Sequence, residues 1–475
     1  MTRLPAIKRL AADVESAKVG KRQRVADSVA FLARQVGGLR AYTDVEDLAE
    51  AAFDESAPNK AARALVYHLE KIRGELARQL WRREIFVGVT VIDELLFSHA
   101  SVGASDPVLA TLQTIRDSQL NRPGMVVFPL HSFGVLAAGL LRPFRGTSTV
   151  LINPAARYAI APQTNNLGRT VTFLNDVAPQ LGVKKPIEDD LIEHWRRSRG
   201  ARWLESNPLL VAGMTSISGY YYENEFLVLG RLRAITSAVV MLAALQPANI
   251  NRAASVFSSS RINNWETRDI HHYLVLSDTH AKALNGRAIP IHQRRQVGEL
   301  SDMAVDIDPR FWQRRKAEAD AVHQAVDALY AGYLSHSVGR GTENTLGSTY
   351  RKLFEAVTYF RRSCQGDSES WTAVVSLATA FEMLLTDSYE PGIALRLRRR
   401  TQALLRGVPR TRTYQAAVED LYYARSATVH SGEVPGIDLS IARQAFVLVF
   451  RALITRMPTL NPRQPEPMAF LTGVR

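Results

Sequence analysis

The sequence predicts a multidomain α+β protein: a helical N-terminal region over residues 1–105, a mixed α/β middle domain over 106–308 and an all-α bundle over 309–460, followed by a loose tail over 461–475. Three observations predict it. Apolar residues recur at steps of three and four in the first and last parts of the chain, the period of an amphipathic helix. Between them the pattern changes to short β-branched and aromatic runs bounded by proline, glycine and asparagine, as strands are. The apolar content of 46% is that of an ordinary globular chain. The longest apolar candidates, around Ile235 to Leu245, stop short of a bilayer span.

In the first region Ile7, Leu10 and Val14, then Val25, Val29, Leu32 and Val36, mark helical stripes. Asn59 stands where it can cap a long helix through Ala61, Leu65, Leu69, Ile72, Leu76 and Leu80. Lys8, Arg9, Lys18, Lys21, Arg22 and Arg24 crowd the start, as a solvated face or a nucleic-acid contact. The stretch 85–99 is more apolar and is expected to pack against the next unit. In the middle, 124–130, 149–152 and 170–174 read as strands, followed by 208–212 and the aromatic run Tyr220 to Tyr222 leading into 226–229. Residues 188–199 and 232–245 read as helices. His131-Ser132 follows a strand but lies outside any Gly-x-Ser-x-Gly elbow. His271, His272, His280 and His292, with Asp269 and Asp278, match no metal-ligand spacing, so no metal site is assigned.

The last region opens with a helix over 312–334, with Ala319, Val322, Val326 and Leu329 on one stripe. The glycine-rich stretch 339–347 is a loop that lacks the lysine and hydroxyl of a phosphate-binding loop. Helices follow at 349–362, 370–386, 393–405 and 439–457. Glu382 sits beside an otherwise apolar stripe, where a carboxylate needs a partner. Arg425 is the natural one, unless Glu382 lies wet at the helix boundary.

The stretch from Glu419 to Gly432 joins residue type, spacing and local structure. Val418, Leu421, Tyr422 and Arg425 recur at helical steps, and Gly432 and Pro435 end the helix. His430 falls in or just past the last turn. On an ideal helix it lies about 140° from Arg425, so the two do not stack unless that turn tightens or frays. Arginine brings a permanent charge and a rigid donor fork for phosphate oxygens, and histidine moves a proton near neutral pH. With RNA the 2′-OH is a built-in nucleophile, so one clamp and one acid/base group suffice without a metal. The structural alternative is an Arg425 ion pair with Glu419 or Asp420 and a His430 that only meets the helix C-terminus.

The segment from about Phe311 to Pro458 resembles an Apea-like HEPN domain, a member of the HEPN superfamily. The resemblance is carried by the Arg-x4-6-His motif Arg425-Ser426-Ala427-Thr428-Val429-His430, by the helix Val375 to Leu385 with its acidic Glu382, and by the closing helix after Asp438. It implies a HEPN-type helical bundle and a ribonuclease site made where two copies of the motif face each other in a homodimer. Arg425, His430, Glu382 and Ser426 are the catalytic residues it implies.

Composition adds a partner. A formal net charge of +13 with arginine in excess suits a phosphate backbone, and GC-rich codon usage would give the same bias. From 391 to 425 eight arginines face two acids. Arg396, Arg398, Arg399, Arg400, Arg406, Arg410 and Arg412 are thus the candidate RNA-binding residues, or a plain basic surface. The single cysteine, Cys364, excludes an internal disulfide and reads as a packed residue. No cofactor is expected. The start carries no secretion signal, so a cytoplasmic protein without a membrane partner is expected. The function that follows is a metal-independent endoribonuclease, an anti-phage defence or toxin effector, with a trigger ligand or protein expected at the middle domain. The alternative is a non-catalytic HEPN protein that binds RNA or a protein partner.

Overall fold

The computed structural model describes residues 27–28, 60–81, 85, 87, 89–117, 123–130, 134–135, 151–153, 157–161, 163–184, 186–197, 202–214, 221–247, 272–277, 285–290, 305–337, 344–365, 371–388, 392–433 and 436–474. The stripes from Ile7 to Val36, their basic neighbours, Asn59, His131-Ser132, His271, His280 and His292 lie outside the described residues. The chain divides into two compact units, and the sequence boundary at 308/309 falls inside the second.

The first unit holds α1 (Lys60–Trp81), α2 (Val89–Ser101) and α3 (Pro107–Asp117). Leu69, Ile72, Leu76 and Leu80 are all buried, as their spacing requires of one helix face. Arg73 Nη1 reaches Asp93 Oδ2 at 2.9 Å, tying α1 to α2.

The second unit is α+β. Its six-stranded antiparallel sheet runs in the order β3 (Leu151–Asn153), β4 (Tyr158–Ala161), β5 (Leu209–Met214), β1 (Gly124–Pro129), β6 (His272–Ser277), β7 (Asn285–Pro290). A two-residue parallel pair joins β2 (Gly134–Val135) to β8 (Asp306–Ile307). Every residue of β1, β4 and β5 is buried, so both faces of the sheet centre are covered. One face, with Met125, Val127, Ala159 and Val211, meets α4 (Leu167–Val177), α5 (Asp189–Arg197) and α6 (Trp203–Ser206) through Leu174, Trp195 and Leu204.

Two strand expectations are overturned. Residues 170–174 are the core of α4: the Asn166 side chain caps it by accepting from Arg169 N, and Thr170, Val171, Phe173, Leu174 and Val177 are buried at helical spacing. Packing against the sheet outweighs the β preference of threonine and valine. The run from Tyr221 through 229 likewise belongs to α7 (Tyr221–Leu245), one long helix that starts earlier than its apolar pattern suggests.

Tyr158 of β4 meets His323 of the C-terminal helices, which are α8 (Pro309–Arg314), α9 (Lys316–His336), α10 (Thr345–Arg362), α11 (Trp371–Leu385), α12 (Ile393–Leu404), α13 (Thr411–Ser431), α14 (Leu439–Arg456) and α15 (Pro467–Thr472). The first expected helix is two, broken at Arg315, whose φ of −119° and ψ of 39° are not helical. The expected loop to Gly347 ends sooner, because Asn344 accepts from Gly347 N and caps α10. Phe446 of α14 stacks on Phe360 of α10 and meets Phe381 of α11 edge-on, with centroids 4.5 and 5.4 Å apart.

The tail after 460 is not loose. Met468 and Leu471 are buried, and Asp387 receives the Met468 and Ala469 N–H groups at 2.6 and 3.0 Å. Its carboxylate also takes Arg400 Nη1 at 3.1 Å. Two buried apolar side chains and one half-buried acid outweigh the proline-rich composition that suggested disorder.

Candidate functional site

The motif lies in the last two turns of α13. Val418, Leu421 and Ala424 turn inward and anchor the helix, and it stays α-helical through Ser431. Gly432 then takes a φ of 69°, a left-handed cap that residues with a Cβ adopt only under strain. Thr428 Oγ1 donates to Ala424 O at 2.8 Å, so its hydroxyl is satisfied within the helix.

Arg425 and Glu382 come together. Arg425 Nε stands 3.9 Å from Glu382 Oε1 across the contact of α13 with α11, an ion pair too long for a hydrogen bond. Neither of these two buried atoms has a hydrogen-bond partner. The side chains are 28% and 22% exposed, so the guanidinium is part in, part out. Burial pushes the Glu382 carboxyl above its ordinary value, and the Arg425 charge pulls the other way. Glu419, the alternative partner on the same helix, is taken by Arg398, whose Nη1 lies 3.3 Å from Glu419 Oε2.

His430 is not brought to Arg425 on one helix face. It is exposed, in the last turn, and the unbroken helix keeps the separation of about 140°. Ser426 is half-buried between them in angle. No family model, curated protein or solved structure matches this chain.

Of the seven candidate RNA-binding arginines, Arg398, Arg399, Arg406, Arg410 and Arg412 are exposed and Arg396 is half-buried. Arg400 corrects the expectation. It is 3% exposed and its guanidinium is consumed by Leu385 O, Val474 O and Asp387, so it braces the interior and faces no strand of RNA. Cys364 is buried. Among the described residues no group of three or more His, Cys, Asp or Glu could hold a metal, and no helix is long and apolar enough to cross a membrane.

Sequence reasoning missed Tyr423, which is 61% exposed beside the motif. Its signal was available, since a residue seven positions before His430 shares its helix face.

Proposed function

We propose that this protein is a metal-independent endoribonuclease of the HEPN type, an anti-phage defence or toxin effector whose remaining regions sense a trigger. One observation carries the reading: a partly exposed Arg425, held beside Glu382, shares a helix end with an exposed His430, and α12, packed against the same helix, carries the exposed Arg398 and Arg399. Arg425 neutralises the scissile phosphate with the outer nitrogens of its fork, and Glu382 sets the fork's angle. His430 passes a proton to or from the reacting oxygens, and Ser426 shapes the pocket. The 2′-OH attacks the adjacent phosphorus, the 5′-oxygen leaves, and the product ends in a 2′,3′-cyclic phosphate. Because Arg425 and His430 sit on different sides of one helix, a second copy of the chain supplies the missing half of each site, in a homodimer.

The second reading, a HEPN protein that binds RNA or a partner without cutting, draws on the same angle: Arg425 leans toward the packed face. Cleavage of a mixed single-stranded RNA pool in EDTA, with end-group analysis, separates the two. The nuclease reading expects cyclic-phosphate ends from the wild type and their loss in His430→Ala. Undiminished cleavage by His430→Ala refutes the assignment, and binding without cleavage by the wild type selects the second reading.

A further inference from the structure

Arg412, Tyr423 and His430 lie on one line along α13. On an ideal helix their directions agree within about 20°, on the side opposite the buried Tyr414, Val418, Leu421 and Ala424. All three are exposed, Tyr423 most plainly at 61%. The small side chains of Ala416 and Ala427 fall about 40° and 60° to one side of the line. Glu419 lies on the line itself, within about 20° of it between Arg412 and Tyr423, and its charge is balanced by Arg398 reaching over from α12 at 3.3 Å. Asp420 is exposed about 60° off the line and is the acid left on that flank. Arg399, Arg406 and Arg410 are exposed on α12 and on the turn into α13.

We propose that this stripe is the track of a single strand of RNA, and that Tyr423 is the platform on which one of its bases stacks. The proposal rests on the endoribonuclease reading and names its substrate form and a residue that positions it. The chemistry of the stripe is that of single-strand recognition: cations for the backbone and an exposed aromatic face that accepts any base. Its dimensions agree. Tyr423 lies about 10 Å along the axis from His430, roughly three stacked nucleotides or fewer if the strand is extended. Arg412 lies about 16 Å further back, where it meets the backbone of the incoming strand. A duplex would present no free base face to Tyr423, so the strand is single.

The test uses the full chain and a fluorescent single-stranded RNA carrying 2′-O-methyl groups, which cannot be cut. Tyr423→Ala is expected to weaken binding about tenfold, while Tyr423→Phe and Tyr423→Trp keep it. One abasic position in the RNA should cost the wild type a similar factor and cost Tyr423→Ala nothing more. A fall in affinity that is the same for every abasic position, or binding by Tyr423→Ala equal to the wild type, overturns the platform. So does a Tyr423→Ala protein that loses self-association in sedimentation, since the stripe would then seat a second copy of the chain. Circular dichroism of Tyr423→Ala, matched to that of the wild type, guards against a folding defect. Failure of the wild type to bind any RNA overturns this proposal and the functional reading together. Binding by the wild type without cleavage keeps the track and overturns only the nuclease.

Discussion

Replacing Asp387 by alanine tests how the C-terminal helices are held shut. Its carboxylate, 14% exposed, receives three donors: the Met468 and Ala469 N–H groups and Arg400 Nη1. Breaking one side of a buried ion pair costs about 3–5 kcal/mol, because the surviving charge stays out of water. Arg400 keeps Leu385 O at 2.6 Å and Val474 O at 2.9 Å, which places the loss at the low end. The two orphaned amides add about 1 kcal/mol if the start of α15 frays into solvent and is hydrated there. A total of about 3–4 kcal/mol corresponds to a fall in Tm of roughly 4–6 °C for a unit of this size. Calorimetry reads the shift, and hydrogen exchange at Met468 and Ala469 reads its origin. A Tm within about 2 °C of the wild type, with both amides as protected as before, refutes the reasoning.

Three further outcomes follow from buried polar groups. Tyr158→Phe removes the O–H that donates to His323 Nε2 at 2.7 Å and leaves that nitrogen buried without its donor, at a cost of about 1–3 kcal/mol in denaturant unfolding. Burial holds His323 below its ordinary 6.5, against the opposing pull of the Ala319 carbonyl, Asp327 and Asp320, while Arg231 adds to the lowering. The unfolded chain therefore takes up a proton that the folded chain refuses, so stability falls as pH drops below 6.5, and His323→Gln should flatten that slope. Glu382 has the opposite sign: its raised value means the folded chain holds a proton the unfolded one has released, so stability falls as pH climbs above its ordinary 4.5. Glu382→Gln should remove this fall in a pH series of unfolding midpoints; an unchanged slope counts against a desolvated carboxyl.

Most helices were legible because their apolar stripes are long. The buried residues Leu69 to Leu80 and Ala319 to Leu329 needed no information beyond period. Residues 170–174 misled because five residues rich in threonine and valine read as a strand. A wider window reaching Val177 and Leu181, both buried, would have shown the helical step. The tail hid its helix behind prolines, although Met468 and Leu471 stand three apart. Within the basic run composition could not separate Arg400 from its neighbours. Helical phase could have, since Leu397, Arg400, Thr401 and Leu404 form one buried row. At the candidate site the Glu382–Arg425 meeting was inferable from an acid on an apolar stripe and a helix able to answer it. The angle between Arg425 and His430 was readable from spacing alone, and the unbroken α-helix maintains it.

The hydrogen bond from Tyr158 to His323 bears on any attempt to take this molecule apart. A fragment beginning at Pro309 would carry His323 away from the strand that caps its ring, and Asp327 away from Arg231, 3.2 Å off in the intact chain. It would also lose Asp308, whose carboxylate caps α8 by accepting from Arg310 N and Phe311 N at 2.9 and 3.3 Å and whose own N–H donates to Gln246 Oε1 at 2.7 Å. The helices that hold Arg425 and His430 thus inherit their footing from residues far upstream, and dissection at that seam would alter the very ground on which the motif stands.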